Sequence, residues 1–241
     1  MPHTRLAAPL ALAAALLLTG CTAAGPLAGD AGAGGSAGSG PEAAGGGTGA
    51  GADMGFDLAA VKSQLATVEV RRVDPYNGYD RVKDFGEAWL DVDGNGCDTR
   101  SDILRRDLAG VSPSTGCKVD SGMLHDPYSG KTVAYTRGRE SSEAVQIDHV
   151  VPVYEAWRTG AQAWTQRKRE ALANDPLNLI AVDGDANQDK GDLDPERWLP
   201  PLKSYRCAYV ERYVTVLAKY DLSVPSSEMT ALTRLLGACP A

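Results

Sequence analysis

The sequence has 241 residues, 43% of them hydrophobic and 23% charged, with a formal net charge of −7 at pH 7. That composition excludes a wholly disordered chain. The acidic balance excludes a scaffold that holds nucleic acid mainly by neutralising phosphates, so any chemistry on nucleic acid has to rest on a local site.

The chain opens with Arg5 and an Ala/Leu run that ends in Leu18-Thr19-Gly20-Cys21. Its apolar part, Leu6 to Leu18, contains Pro9 and falls short of the ~20 residues that a membrane span needs, so it reads as an export signal. The small residues before Cys21 resemble the lipobox of bacterial lipoproteins. That resemblance implies a signal peptide over residues 1–21, lipidation at Cys21 and a protein held at the extracellular face of the membrane by its lipid alone; an ordinary secretory signal is the alternative. Residues 22–55 hold 13 glycines in 34 positions and no aromatic residue. Such a stretch cannot pack, and it reads as a flexible tether with a reach of roughly 30 Å.

Residues 56–241 are then one domain, net acidic because only Arg5, Asp30, Glu42 and Asp53 of the charged residues precede it. Apolar spacing predicts a first helix over 57–68, with Asp57 as N-cap. Asp74 to Tyr79 is turn chemistry, and Val82 to Trp89 and Asp102 to Leu108 read as helices. Lys118 to Leu124 and Lys131 to Arg137 read as a β-hairpin around Asp126-Pro127-Tyr128-Ser129-Gly130. Ala144 to Val153 is a β-branched strand whose end carries Asp148 and His149 before Pro152. A helix over Tyr154 to Ala173, a strand over Asn178 to Val182 and a helical segment from Asp185 with Asn187 and Lys190 follow. Helices over Tyr205 to Tyr220 and Ser226 to Leu236 close an α+β domain. Trp89, Trp157, Trp164 and Trp198 fall at helix-face positions, which reads as core rather than as base-stacking platforms.

Cys97, Cys117, Cys207 and Cys239 suit an oxidising compartment. Three connectivities are open, of which Cys97 to Cys117 and Cys207 to Cys239 close local loops and are favoured. Asp91, Asp93 and Asn95 have the spacing of a Ca²⁺ loop, but Asp102 stands where Glu is usual; a polar turn before the helix is the alternative.

Asp148-His149-x-x-Pro152, followed by Asn178-Leu179 and then Asn187-x-x-Lys190, resembles the HNH branch of the ββα-metal (His-Me finger) nucleases. Within it the chain resembles exported members of the domain-of-unknown-function family 1524, related to the C-terminal domain of modification-dependent restriction enzymes of the GmrSD kind. Gly96-Cys97-Asp98-Thr99-Arg100, Asp126-Pro127-Tyr128, Ala173-Asn174-Asp175 and Trp198-Leu199-Pro200 extend the resemblance over nearly all of residues 70–241. It implies a ββα-metal core with surrounding helices and a β-hairpin, and an endonuclease of low sequence specificity acting on DNA, with RNA as the other candidate substrate. His149 would be the general base, since a neutral imidazole takes a proton from water near pH 7. Asp148 and Asn187 would hold Mg²⁺ or Mn²⁺, oxygen donors being suited to hard cations. Asn178 would orient the imidazole and Lys190 would reach phosphate. Arg100, Arg137 and Arg139 are candidate phosphate contacts. Adjacent residues of a regular strand face opposite ways, so Asp148 and His149 can share one site only if the strand ends or bulges there. Two rival functions remain: a catalytically silent, surface-anchored binding module, and a phosphodiesterase for small substrates.

Overall fold

The computed structural model describes residues 54–75, 77–113, 116–138 and 143–240. The expected signal peptide, Cys21 and the expected tether up to residue 53 lie outside the described residues, as does Arg139. No helix among the described residues is long and apolar enough to cross a membrane.

The first helix, α1 (Leu58–Leu65), is capped by Asp57, whose carboxylate accepts from Ala59 N at 2.9 Å. A short α2 (Arg81–Phe85) is capped in the same way by Asp80. The helix expected to run on to Trp89 stops at Gly86, where φ is 77°, a left-handed value that closes a helix. Trp89 therefore sits in a connection, and it too has a positive φ, 65°. Helix α3 (Thr99–Asp107) starts a turn earlier than the sequence suggests, because Asp98 rather than Asp102 provides the cap, accepting from Ser101 N at 2.8 Å.

Three antiparallel strands follow, β1 (Leu108–Pro113), β2 (Val119–His125) and β3 (Thr132–Thr136), in that order across the sheet. The expected hairpin is β2–β3, in unbroken register from Ser121 opposite Thr136 to His125 opposite Thr132. Strand β1 was not expected: Ala109, Gly110 and Pro113 are poor strand formers, and its pairing with β2 is correspondingly irregular between Ala109 and Pro113.

A second sheet has two strands. Strand β4 (Val145–His149) pairs antiparallel with β5 (Leu179–Asp183), Val145 opposite Asp183 and His149 opposite Leu179. The connection contains α4 (Val153–Arg158), a 3-10 turn (Ala161–Ala163) and α5 (Gln166–Ala173). One helix was expected here. It is broken at Gly160, whose φ of 142° no helix tolerates, after Thr159 has closed α4 by donating to Glu155 O at 2.8 Å. Helix α6 (Gly184–Lys190) leaves β5 directly, capped by Asp183, and packs on both strands.

Strand alternation decides what β4 and β5 bury. Val145, Ile147, Leu179 and Ala181 join a smaller core with Ile103, Leu104 and Leu124, whereas Ile180 and Val182 join a larger one. The larger core is built mainly on α7 (Arg206–Tyr220), through Tyr209, Tyr213, Val214 and Leu217, with α8 (Ser226–Gly237) behind it. The entry to β5 is fixed by the buried Arg212, which donates to Leu177 O and Leu179 O at 2.7 Å and to Pro176 O at 3.0 Å. Both favoured disulfides are present: Cys97–Cys117 fastens the approach to α3 onto the start of β2, and Cys207–Cys239 joins the start of α7 to the chain just after α8.

Candidate active site at the end of strand β4

Strand β4 ends at His149, four residues sooner than its β-branched run suggests. Asn178 is the reason. Its backbone carbonyl accepts from Val150 N at 2.8 Å and its side-chain Oδ1 accepts from Val151 N at 2.8 Å, while Nδ2 donates to Val151 O at 3.2 Å. The chain thus turns away at Val150 and Val151 into Pro152. Asp148 and His149 both line one pocket of about 200 Å³, lined also by Ile147, Pro152, Val153, Asn187, Gly191 and Asp192. They line it from the two faces of the strand, at its end.

On one face of β4, Gln146 and Asp148 are two residues apart and point the same way. Gln146 Oε1 accepts from Asn187 Nδ2 at 2.8 Å, which fixes the amide of Asn187 with its nitrogen toward the strand. Asp148 is buried, and its two oxygens have separate partners: Oδ1 accepts from Lys190 Nζ at 3.0 Å and Oδ2 from Tyr128 OH at 2.6 Å. Burial pushes the Asp148 carboxyl up from its ordinary value, against the opposing pull of Lys190 and Tyr128. Burial likewise pushes the Tyr128 phenol well up.

His149 occupies the other face. Its Nε2 lies 2.8 Å from Ala173 O at the end of α5. A carbonyl can only accept, so Nε2 carries the proton and Nδ1 has the free lone pair of the neutral ring. Burial, reinforced by Arg81 and Lys190, brings the imidazole down to about 3, the bond to Ala173 opposing. The ring stacks nearly parallel to Trp89, 13° between planes and 6.3 Å between centroids.

Several expected roles therefore change. Asn178 was expected to orient the imidazole; it instead shapes the turn after the strand, and Ala173 O holds the ring. Lys190 was expected to reach outward to phosphate; it is fully buried, with Nζ on Asp148 and on His149 O at 2.8 Å. Arg100 donates to Val145 O at 3.1 Å at the start of β4, and Arg137 pairs with Asp120 at 2.8 Å. In the Asp91-Asp93-Asn95 loop the carboxylates accept from backbone Gly94, Asn95 and Gly96, and Asn95 donates to Asp93 and Asp102, which is the polar-turn alternative. Of the four tryptophans only Trp157 lies in a helix. Trp89, Tyr128, Ala173, Gln146 and Asp192 were given no role at this site by the sequence reading. Only Gln146 carried a usable signal, its two-residue offset from Asp148.

A second carboxylate group, Glu155, Asp194 and Glu228, brings oxygens within 4.8 Å of one another in the protein interior. Arg158 lies 3.0 Å from Glu155 and Arg197 2.6 Å from Asp194, while Tyr213 OH donates to Glu228 at 2.8 Å. Burial, followed by the neighbouring carboxylates and opposed by Tyr213, pushes Glu228 up to about 8. Near neutral pH a proton on Glu228 balances this group against its two arginines.

The oxygen set at the end of β4 fits a hard divalent cation. Asp148 has four lone-pair sites, of which Lys190 and Tyr128 take one each, and Oδ1 of Asn187 accepts no hydrogen bond among the described residues.

Comparison with known proteins bears on this geometry. Residues 98–235, which contain β4, β5 and α6, match the family described as GmrSD restriction endonucleases, C-terminal domain. The chain is 42% identical over 183 residues to an "Uncharacterized secreted protein" of Arthroderma benhamiae, a match that covers 75% of this chain and 85% of that one. No solved structure matches.

Proposed function

The chain belongs to the family of GmrSD restriction endonuclease C-terminal domains, and from that premise we propose that it is an exported, metal-dependent endonuclease of HNH type, hydrolysing phosphodiester bonds of DNA. The observation that carries this reading is that Asp148, His149 and Asn187 line one pocket, with Nδ1 of His149 left unprotonated by the bond of Nε2 to Ala173 O.

In this reading His149 is the general base. Ala173 O fixes the tautomer and Trp89 backs the ring, which leaves Nδ1 as the nitrogen that would take the proton from water. Asp148 and Asn187 would hold Mg²⁺ or Mn²⁺, with Asp192 at the rim of the same pocket. When bound, the ion supplies charge relief on the phosphate and on the departing oxygen. Lys190 and Tyr128 keep Asp148 in place, Gln146 keeps Asn187 in place, and Asn178 holds the turn that opens the strand end. Arg100 and Arg137 would contact phosphates flanking the scissile bond. Export, with lipid attachment at Cys21, belongs to the same proposal.

The test is purified protein with supercoiled plasmid, in Mg²⁺ or in EDTA. Nicking in Mg²⁺, abolished by EDTA and by His149→Ala, is the expected result. An active His149→Ala variant overturns the assignment of the base. Hydrolysis of only a small diester, or of neither substrate, overturns the nuclease reading in favour of one of the two rivals.

A further inference from the structure

Beside the β4 pocket lies a larger cleft of about 340 Å³, lined by Trp89, Arg100, Lys118, Tyr135 and Arg137, with Asp98 and Ser101 at the start of α3. Its size falls in the range of small-molecule pockets, about 300–1,000 Å³. Trp89 is common to both places: it lines this cleft, and its ring stacks on the imidazole that lines the other. Three cations line the cleft; Lys118 pairs with Asp98 and Arg137 with Asp120, so its net positive charge is that of Arg100. Arg100 bonds only to Val145 O and has no carboxylate partner among the described residues, which leaves most of its guanidinium donors available.

The indole is held at a cost. Trp89 adopts φ 65°, a left-handed conformation that a bulky residue rarely takes and that concentrates at functional sites. The loop behind it is tied down by Thr99, whose hydroxyl donates to Leu90 O, and by the Cys97–Cys117 disulfide.

We propose that this cleft is a nucleotide subsite for an unpaired strand, taking the nucleotide next to the scissile phosphate with its base against Trp89 and its phosphate on Arg100, with Arg137 at the rim. An aromatic ring can stack on a base only when that base is out of the duplex, so the cleft selects single-stranded or locally opened nucleic acid. Arginine offers a planar fork of donors to phosphate oxygens. The inference rests on the reading of the β4 pocket as a phosphodiester hydrolase and adds the strandedness of its substrate.

The experiment is fluorescence anisotropy of a fluorescein-labelled single-stranded DNA oligonucleotide, and of the same oligonucleotide as duplex, with the full chain in EDTA. The single strand is expected to bind more tightly than the duplex. Trp89→Ala and Arg100→Ala each weaken single-strand binding roughly tenfold, within the range of one lost base stack, while Trp89→Phe retains most of it. The double variant Arg100→Ala with Arg137→Ala lowers the salt slope of log Kd by about 1.4. Thermal melts show whether each variant folds; should Trp89→Ala fail to fold, Arg100→Ala and the comparison of single strand with duplex carry the test. Equal affinity for duplex, or single-strand binding indifferent to Arg100→Ala or to a folded Trp89→Ala, overturns the proposal. Trp89-dependent binding without plasmid nicking would overturn the hydrolase reading and leave the cleft standing. Nicking with indifferent binding would do the reverse.

Discussion

Nζ of Lys190 lies 3.0 Å from Oδ1 of Asp148; the lysine is fully buried and the aspartate nearly so. The ammonium also donates to His149 O, so one cation on α6 secures the two residues at the end of β4. A lysine one turn after Asn187 thus acts as a strut for the site.

Removing that strut leaves a buried carboxylate without its counter-charge. Lys190→Met keeps the volume and is expected to cost about 3–5 kcal/mol in urea unfolding. A lysine that only touched phosphate would leave stability unchanged, so the melt distinguishes the two roles.

Asn178→Ala removes the acceptor of Val151 N and the donor to Val151 O, both buried. A loss of about 2 kcal/mol is expected, the cost of stranding a buried amide. Activity should fall along with stability, because β4 is then free to run on past His149. Asn178→Asp keeps Oδ1 and should lie between wild type and Ala in both measurements.

Stability should depend on pH through Glu228. Its carboxyl is raised in the folded state to about 8, from an ordinary 4.5, so the folded chain holds a proton that the unfolded chain releases. The contribution is complete below about 4.5 and is lost as pH rises through 8. Tm is therefore expected to fall between about pH 5 and pH 9, and Glu228→Gln should flatten that fall. A Tm that rises over this window would contradict the assignment.

Replacing Cys97 and Cys117 together by Ser opens a loop of sequence separation 20 and should cost about 3 kcal/mol on the chain-entropy estimate. Urea titration measures it. The same variant frees the approach to α3 and should weaken binding of the single-stranded probe more than binding of the duplex.

The order β4–connection–β5–α6 was legible because β-branched alternation, Pro152 and the Asp183-Gly184 turn are local signals. The hairpin was legible for the same reason, its turn being written in Asp126 to Gly130. What was not legible depends on distant contacts. That Ala173 O, not Asn178, receives the imidazole proton follows from where α5 ends against β4, and no spacing encodes that. Lys190 reads as a surface cation until Asp148 is seen beneath it. Trp89 reads as a helix residue because the helix it would extend is ended three residues earlier by Gly86.

Strand β4 is only five residues long, yet it parts two chemistries: Asp148 belongs to the α6 side, and His149 to the side of α5 and Trp89. A single inserted or deleted residue between Val145 and Asp148 would exchange those sides, delivering a carboxylate to the tryptophan and an imidazole to the buried lysine. The twenty-nine positions from Val150 to Asn178 carry no such constraint on their number. Descendants of this chain are accordingly expected to vary in length there, and to hold the count of residues in β4 constant.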